Sequence, residues 1–95
     1  MFVDGEMTIK QPYRSMVYKG NFCSRMFEGE GTLKIEINNL KYIYMGEFKG
    51  GIPHGKGKLI HSSLSYSYEG GWENGKFHGQ GLLKVEYPDD STKIK

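Results

Sequence analysis

The sequence holds one cysteine, three prolines and a net charge of only +2 across 95 residues. Each shortage excludes something. Cys23 alone cannot close an intramolecular disulfide, so the chain must fold without staples, which fits a reducing, cytoplasmic compartment. Thirteen Lys+Arg against eleven Asp+Glu give no strongly basic surface, which makes nucleic acid an unlikely partner. Apolar runs extend over only a few residues, too short for a membrane span or a leader's apolar region. The opening MFVDGEM also carries Asp4 where a leader has basic residues.

Catalytic and metal signatures are missing too. His54 and His78 recur at equivalent positions, but no Asp, Glu or Cys accompanies them at ligand spacing, so both read as structural histidines closing a turn. His61 follows Ile60 in what reads as a solvated linker. Ser62, Ser63 and Ser65 lack the glycine elbow of a nucleophile. GKGK (Gly55 to Lys58) lacks the spacing and the following helix of a phosphate loop. No catalytic residue, cofactor or metal site is expected, and the chain reads as a non-enzyme.

What the sequence does have is glycine, 14 residues of it, interleaved with seven Tyr, five Phe and one Trp. The two types fall on a grid. YMGEFKGGIPHGKG (Tyr44 to Gly57) and YEGGWENGKFHGQG (Tyr68 to Gly81) superpose at an offset of 24, and with Leu59 and Leu83 eight positions match. A more divergent copy, YKGNFCSRMFEGEGTL (Tyr18 to Leu33), lies 26 residues upstream, with Arg25 and Glu28 replacing the Gly and His of the others. GEMTIK (Gly5 to Lys10) matches GTLKIE (Gly31 to Glu36) and reads as the second half of a unit. Terminal units of arrays are commonly atypical because they cap the ends. The organisation is therefore one domain over 1–95, with a half repeat at 5–10 and repeats at 18–35, 44–61 and 68–85.

Within each unit the alternation has period two. Tyr66, Tyr68, Gly70 and Trp72 share one parity, as do Gly79, Gly81, Leu83 and Val85. On a strand this places rings and glycines on one face and Lys, Glu, Ser and Asn on the other. A helix is a poor competitor, because each glycine costs about 0.5–1 kcal/mol relative to alanine. Asn74-Gly75 and Gly50-Gly51 are turn pairs, so each unit is a β-hairpin. Further turn formers at Asn38-Asn39, Ser62-Ser63 and Pro88-Asp89-Asp90 separate the hairpins, and Thr92 and Ile94 read as the start of another strand. The fold class is all-β: an elongated, twisted, single-layer antiparallel meander of about seven strands. Glycines weaken a strand unless something approaches it closely. Trp72 or Phe48 is expected to lie across the glycines of its partner strand, with Gly79 and Gly81 as the floor beneath the ring.

The spacing Tyr-x-Gly-x-aromatic-x-x-Gly-x-x-His-Gly-x-Gly-x-Leu resembles the MORN repeat, the membrane occupation and recognition nexus motif. YEGGWENGKFHGQGLL and YMGEFKGGIPHGKGKL fit it at nearly every defining position, and YKGNFCSRMFEGEGTL departs at Arg25 and Glu28. The spacings of 24 and 26 imply slightly longer turns between hairpins than is usual in that family. The resemblance implies a scaffold within a larger assembly, ciliary and cytoskeletal ones first. Its partners would be a helix or extended peptide in a concave groove, neighbouring subunits, or a second copy of the chain.

The residues expected to serve protein binding are Tyr42, Tyr44, Phe48, Tyr66, Tyr68 and Trp72, since so many rings exceed what one sheet layer can bury and leave an apolar strip open. Two alternatives stand beside this reading. Lys49, Lys56, Lys58 and Lys76, in or near the hairpin turns, would bind anionic phospholipid if they converged on one side. A regulatory piece of an enzyme is the other.

Overall fold

The computed structural model describes residues 2–61 and 66–85. Seven strands run β1 (Val3–Gln11), β2 (Arg14–Cys23), β3 (Met26–Ile37), β4 (Leu40–Lys49), β5 (Ile52–His61), β6 (Tyr66–Glu73) and β7 (Lys76–Val85). They form one sheet in chain order, every neighbouring pair antiparallel. Among the described residues there is no second layer, and the extents of 55 × 36 × 17 Å are those of a slab. The anticipated turns at Ser62-Ser63 and 88–90, and the strand beginning near Thr92, lie outside the described residues.

Two-residue turns set the register. Ser24-Arg25, Asn38-Asn39, Gly50-Gly51 and Asn74-Gly75 all have positive φ at both residues, the twist that suits a tight hairpin. Asn tolerates that region, but Ser24 and Arg25 occupy it at a cost of about 1 kcal/mol each. Pro12-Tyr13 closes the first hairpin without positive φ, as the proline ring requires. The longer spacing between the first two full repeats has a different cause from the one expected. The turn at Asn38-Asn39 is tight, and the extra residues lengthen the strands instead: β3 has 12 residues and pairs as far as Arg14 opposite Ile37.

Register then builds rungs across the sheet. Gly5, Gly20, Gly31, Gly46, Gly57, Gly70 and Gly81 are successive cross-strand partners, one glycine from every strand. The next rung on the same face alternates an aliphatic residue with tyrosine: Met7, Tyr18, Leu33, Tyr44, Leu59, Tyr68 and Leu83. Each tyrosine ring folds back over the glycine rung. A Cβ built at Gly31, Gly57 or Gly81 overlaps the phenol of Tyr18, Tyr44 or Tyr68 respectively. The three hydroxyls donate to the carbonyls of Asn21 (2.8 Å), Glu47 (2.8 Å) and Gly71 (2.9 Å).

The large ring over the hairpin's own glycines is thus tyrosine, and not Trp72 or Phe48. Those two do something else: each bridges consecutive hairpins. Phe48 meets Tyr44 edge-on at 4.9 Å and Tyr18 of the preceding hairpin at 5.2 Å. Trp72 meets Tyr68 at 5.4 Å and Tyr44 at 5.1 Å, and its indole N–H donates to Gly57 O at 3.0 Å. Tyr18, Tyr44, Phe48, Tyr68 and Trp72 form the buried core among the described residues, with Met7, Phe22, Phe27, Leu33 and Leu59 packed against it. Edge-to-face pairs of this kind add about 0.5–1.5 kcal/mol beyond the area they bury.

Gly79 is also not a floor. A Cβ there meets nothing, and its φ of +70° is what favours glycine. Together with Gly29 and Gly55 (φ +82° and +86°) it occurs where the hairpin register slips, so that residues 54–56 in β5 oppose Glu47 alone between the pairs Gly46–Gly57 and Phe48–Pro53.

Candidate functional site

Two faces follow from the alternation. On the aromatic face a third rung lies beyond the tyrosines: Ile9, Met16, Ile35, Tyr42, His61, Tyr66 and Val85. Its side chains stand beside the packed tyrosine rung, and Ile9 and Val85 are exposed. Tyr42 and Tyr66 are half-buried and flank His61, with ring centroids 4.3 and 5.2 Å from the imidazole. His61 itself is 2 % exposed. It is therefore not a solvated linker residue. It closes the alternation Gly55, Gly57, Leu59, His61, and that parity was the signal in the sequence.

Of the residues expected at a protein-binding surface, Tyr44, Phe48, Tyr68 and Trp72 are interior, each 3–6 % exposed. Their place in the core leaves them little ring surface to offer. Tyr42 and Tyr66 remain accessible on the third rung. Burial also acts on the phenols. Loss of solvent, then Glu47 and Glu30, push the Tyr44 hydroxyl up to about 12, against its bond to the Glu47 carbonyl. Tyr18 is raised chiefly by burial and then by Glu28, with the Asn21 carbonyl bond opposing.

The opposite face is polar. A shallow groove of about 660 Å³ crosses it, lined by Met45, Lys56, Lys58, Glu69, Gly71 and His78 among others. Lys56 and Lys58 thus meet in one place, whereas Lys49 and Lys76 sit at hairpin ends opposite Ile52 and Glu73. Acids interleave with these lysines. Glu69 is the cross-strand partner of Lys58, the Glu47 carboxylate accepts from the Lys56 amide at 2.9 Å, and Glu73 pairs with His78 Nε2 at 3.2 Å.

Hairpins are tied to one another near their turns. The amides of Gly51 and Gly75 donate to the carbonyls of Phe27 and Pro53 in the preceding hairpin, at 2.9 and 3.0 Å. Glu28, which replaces the histidine of the other units, accepts from the Gly50 amide at 2.9 Å. The departure from the repeat pattern has therefore acquired a structural use.

The last strand differs from its counterparts. All ten residues of β7 are exposed, including Phe77, Leu82, Leu83 and Val85. Sequence reasoning did not single these out, because Leu83 is equivalent by repeat to Leu33 and Leu59, which are packed. Among the described residues no group of three or more His, Cys, Asp or Glu could hold a metal ion, and no helix is long and apolar enough to cross a membrane.

The family model for the MORN repeat matches residues 44–64 and 68–84. These spans coincide with the second and third full hairpins, where the Tyr, Gly, aromatic and His positions are most regular. No curated protein matches the chain significantly.

Proposed function

Since this chain is a MORN-repeat protein, we propose that it is a non-catalytic scaffold or adaptor that binds protein partners along the aromatic face of its sheet and at the sheet edges. The observation that supports this best is the third rung. Ile9, Ile35, Tyr42 and Tyr66 form an apolar line that no second layer covers among the described residues. Apolar strips of this kind mark interaction surfaces, and tyrosine offers both a ring and a hydroxyl to a partner. A helix or extended peptide laid across the strands would cover the strip. In this reading Tyr44, Phe48, Tyr68 and Trp72 hold the strip in place from the rungs beside it, and residues 1–95 act as one unit. The setting is a large cytoplasmic assembly, with ciliary and cytoskeletal ones first because arrays that resemble this one serve there.

Lipid binding has less in its favour. Lys56 and Lys58 share a groove with Glu69, and Lys49 and Lys76 lie apart from them, so the lysines do not build one cationic surface.

The test is affinity purification of the tagged protein from its native cell with mass spectrometry, alongside two variants. Tyr42→Ser with Tyr66→Ser should lose a fixed set of co-purifying proteins while melting as a folded sheet. Lys49→Glu with Lys76→Glu should keep that set. Loss of membrane lipids and all partners with the lysine variant alone would overturn the proposal in favour of a lipid role.

A further inference from the structure

The internal strands β3 and β5 show what the outer edge of a repeat's second strand is built to receive. Against β3, Gly29, Gly31 and Leu33 pair with Phe48, Gly46 and Tyr44. Against β5, Gly55, Gly57 and Leu59 pair with Trp72, Gly70 and Tyr68. Bonds beyond the ladder secure the incoming strands. The indole of Trp72 donates to Gly57 O, and the turn amides of Gly51 and Gly75 donate to Phe27 O and Pro53 O. The edge therefore reads a tyrosine, a glycine and an aromatic at alternate positions of the incoming strand, followed by a tight turn that ends in glycine.

Strand β7 presents the same edge a third time. Gly79, Gly81 and Leu83 stand where Gly55, Gly57 and Leu59 stand in β5, and Gly79 keeps the positive φ of Gly55 and Gly29. Phe77 occupies the position of Phe27 and Pro53, and its carbonyl is the one that would accept a turn amide. Among the described residues no strand covers this edge. Leu83 is accordingly 53 % exposed and Phe77 49 %, whereas Leu33 and Leu59 pack against the core.

We infer that the outer edge of β7 is a docking site for an extended segment of a partner protein with the pattern Tyr-x-Gly-x-(Trp or Phe)-x-x-Gly, added antiparallel as an eighth strand. The ladder supplies affinity and the repeat pockets supply selectivity. A second copy of this chain is a poorer occupant. Its segments of that pattern are β4 and β6, with β2 departing only at Arg25, and all three are already paired on both sides. Its other outer strand, β1, offers Val3, Gly5 and Met7 and carries no ring at the two aromatic positions. This inference rests on the scaffold reading above and narrows its partner. The two fail separately, because partners captured through Tyr42 and Tyr66 do not require the β7 edge.

The experiment uses a fluorescein-labelled peptide with the sequence of residues 66–75, YSYEGGWENG, titrated with the intact protein and followed by anisotropy and by hydrogen exchange. The expected result is saturable binding with slowed exchange over 77–85. A peptide carrying alanine in place of its second tyrosine and its tryptophan should bind at least tenfold more weakly. Leu83→Lys in the protein should weaken the parent peptide to a similar degree, and Leu82→Lys, on the other face, should leave it unchanged. If Leu83→Lys fails to fold, the comparison of the two peptides still decides. Equal binding of both peptides, protection over β1 instead of β7, or protection of 77–85 that rises with protein concentration in the absence of peptide would each overturn the inference. The last outcome would assign the edge to a second copy.

Discussion

The ring of Tyr68 occupies the space that a side chain at Gly81 would need, and its hydroxyl is anchored on the carbonyl of Gly71 at 2.9 Å. The glycine is thus the socket of the tyrosine. Because the same pair recurs as Tyr18 with Gly31 and Tyr44 with Gly57, a sheet with one layer acquires a buried core.

Gly81→Val puts two methyl groups into the Tyr68 ring, which its hydroxyl bond to Gly71 O holds in place. Chemical denaturation should show a loss of about 3 kcal/mol, at the upper end of overpacking in cores. An unchanged midpoint would refute the socket.

Gly79 should respond differently. With open space around its Cβ, Gly79→Ala meets only the cost of a positive φ, about 1 kcal/mol, and Gly79→Asn should cost less because asparagine tolerates that region. Equal losses for Ala and Asn would mean that contact, not conformation, governs the site.

Arg25 sits at φ +70° in a turn whose counterparts are Gly51 and Gly75. Arg25→Gly should raise stability by about 0.5 kcal/mol, the relief of the left-handed conformation less the added freedom of the unfolded chain. Thermal melts of the pair measure this directly, and a decrease would show that the arginine side chain makes a compensating contact.

The Tyr44 phenol is pushed up to about 12, first by burial and then by Glu47 and Glu30, from an ordinary value near 10. Since its folded value exceeds its unfolded one, the stabilisation is fully present below pH 10 and is lost as pH rises from 10 to 12. Denaturation midpoints across this window should fall by the equivalent of about 2 kcal/mol. Tyr44→Phe, less stable at neutral pH through the lost bond to Glu47 O, should show a shallower fall.

The hairpins, their order and their inward-facing parity were legible because glycine and tyrosine recur at fixed offsets and the turn pairs lie between them. Which ring covers which glycine was not. Tyr68 and Trp72 share one parity, and only the register slip between Gly70 and Trp72 turns the tryptophan toward the neighbouring hairpin. Gly79 and Gly81 look alike as letters, yet one answers to a torsion and the other to a ring. His61 was misplaced for a local reason. The serines that follow it suggested a loop, whereas its alternation with Leu59 placed it between Tyr42 and Tyr66. The exposed face of β7 was invisible for the opposite reason, since a repeat assigns Leu83 the environment of Leu59 and does not register that β7 has no outer neighbour among the described residues.

The order β1 to β7 in the sheet is the order of the chain, so each strand pairs with its immediate neighbours in sequence. Such an array needs no distant segment to complete any pairing. Its ordering is a one-dimensional zipper, in which a hairpin that has just left the ribosome can close and then template the next. The same linearity fixes where the assembly opens under stress. Among the described strands the two outermost are each paired along one border, so fraying begins there and the Tyr44 hairpin, clasped on both sides, is the last to let go.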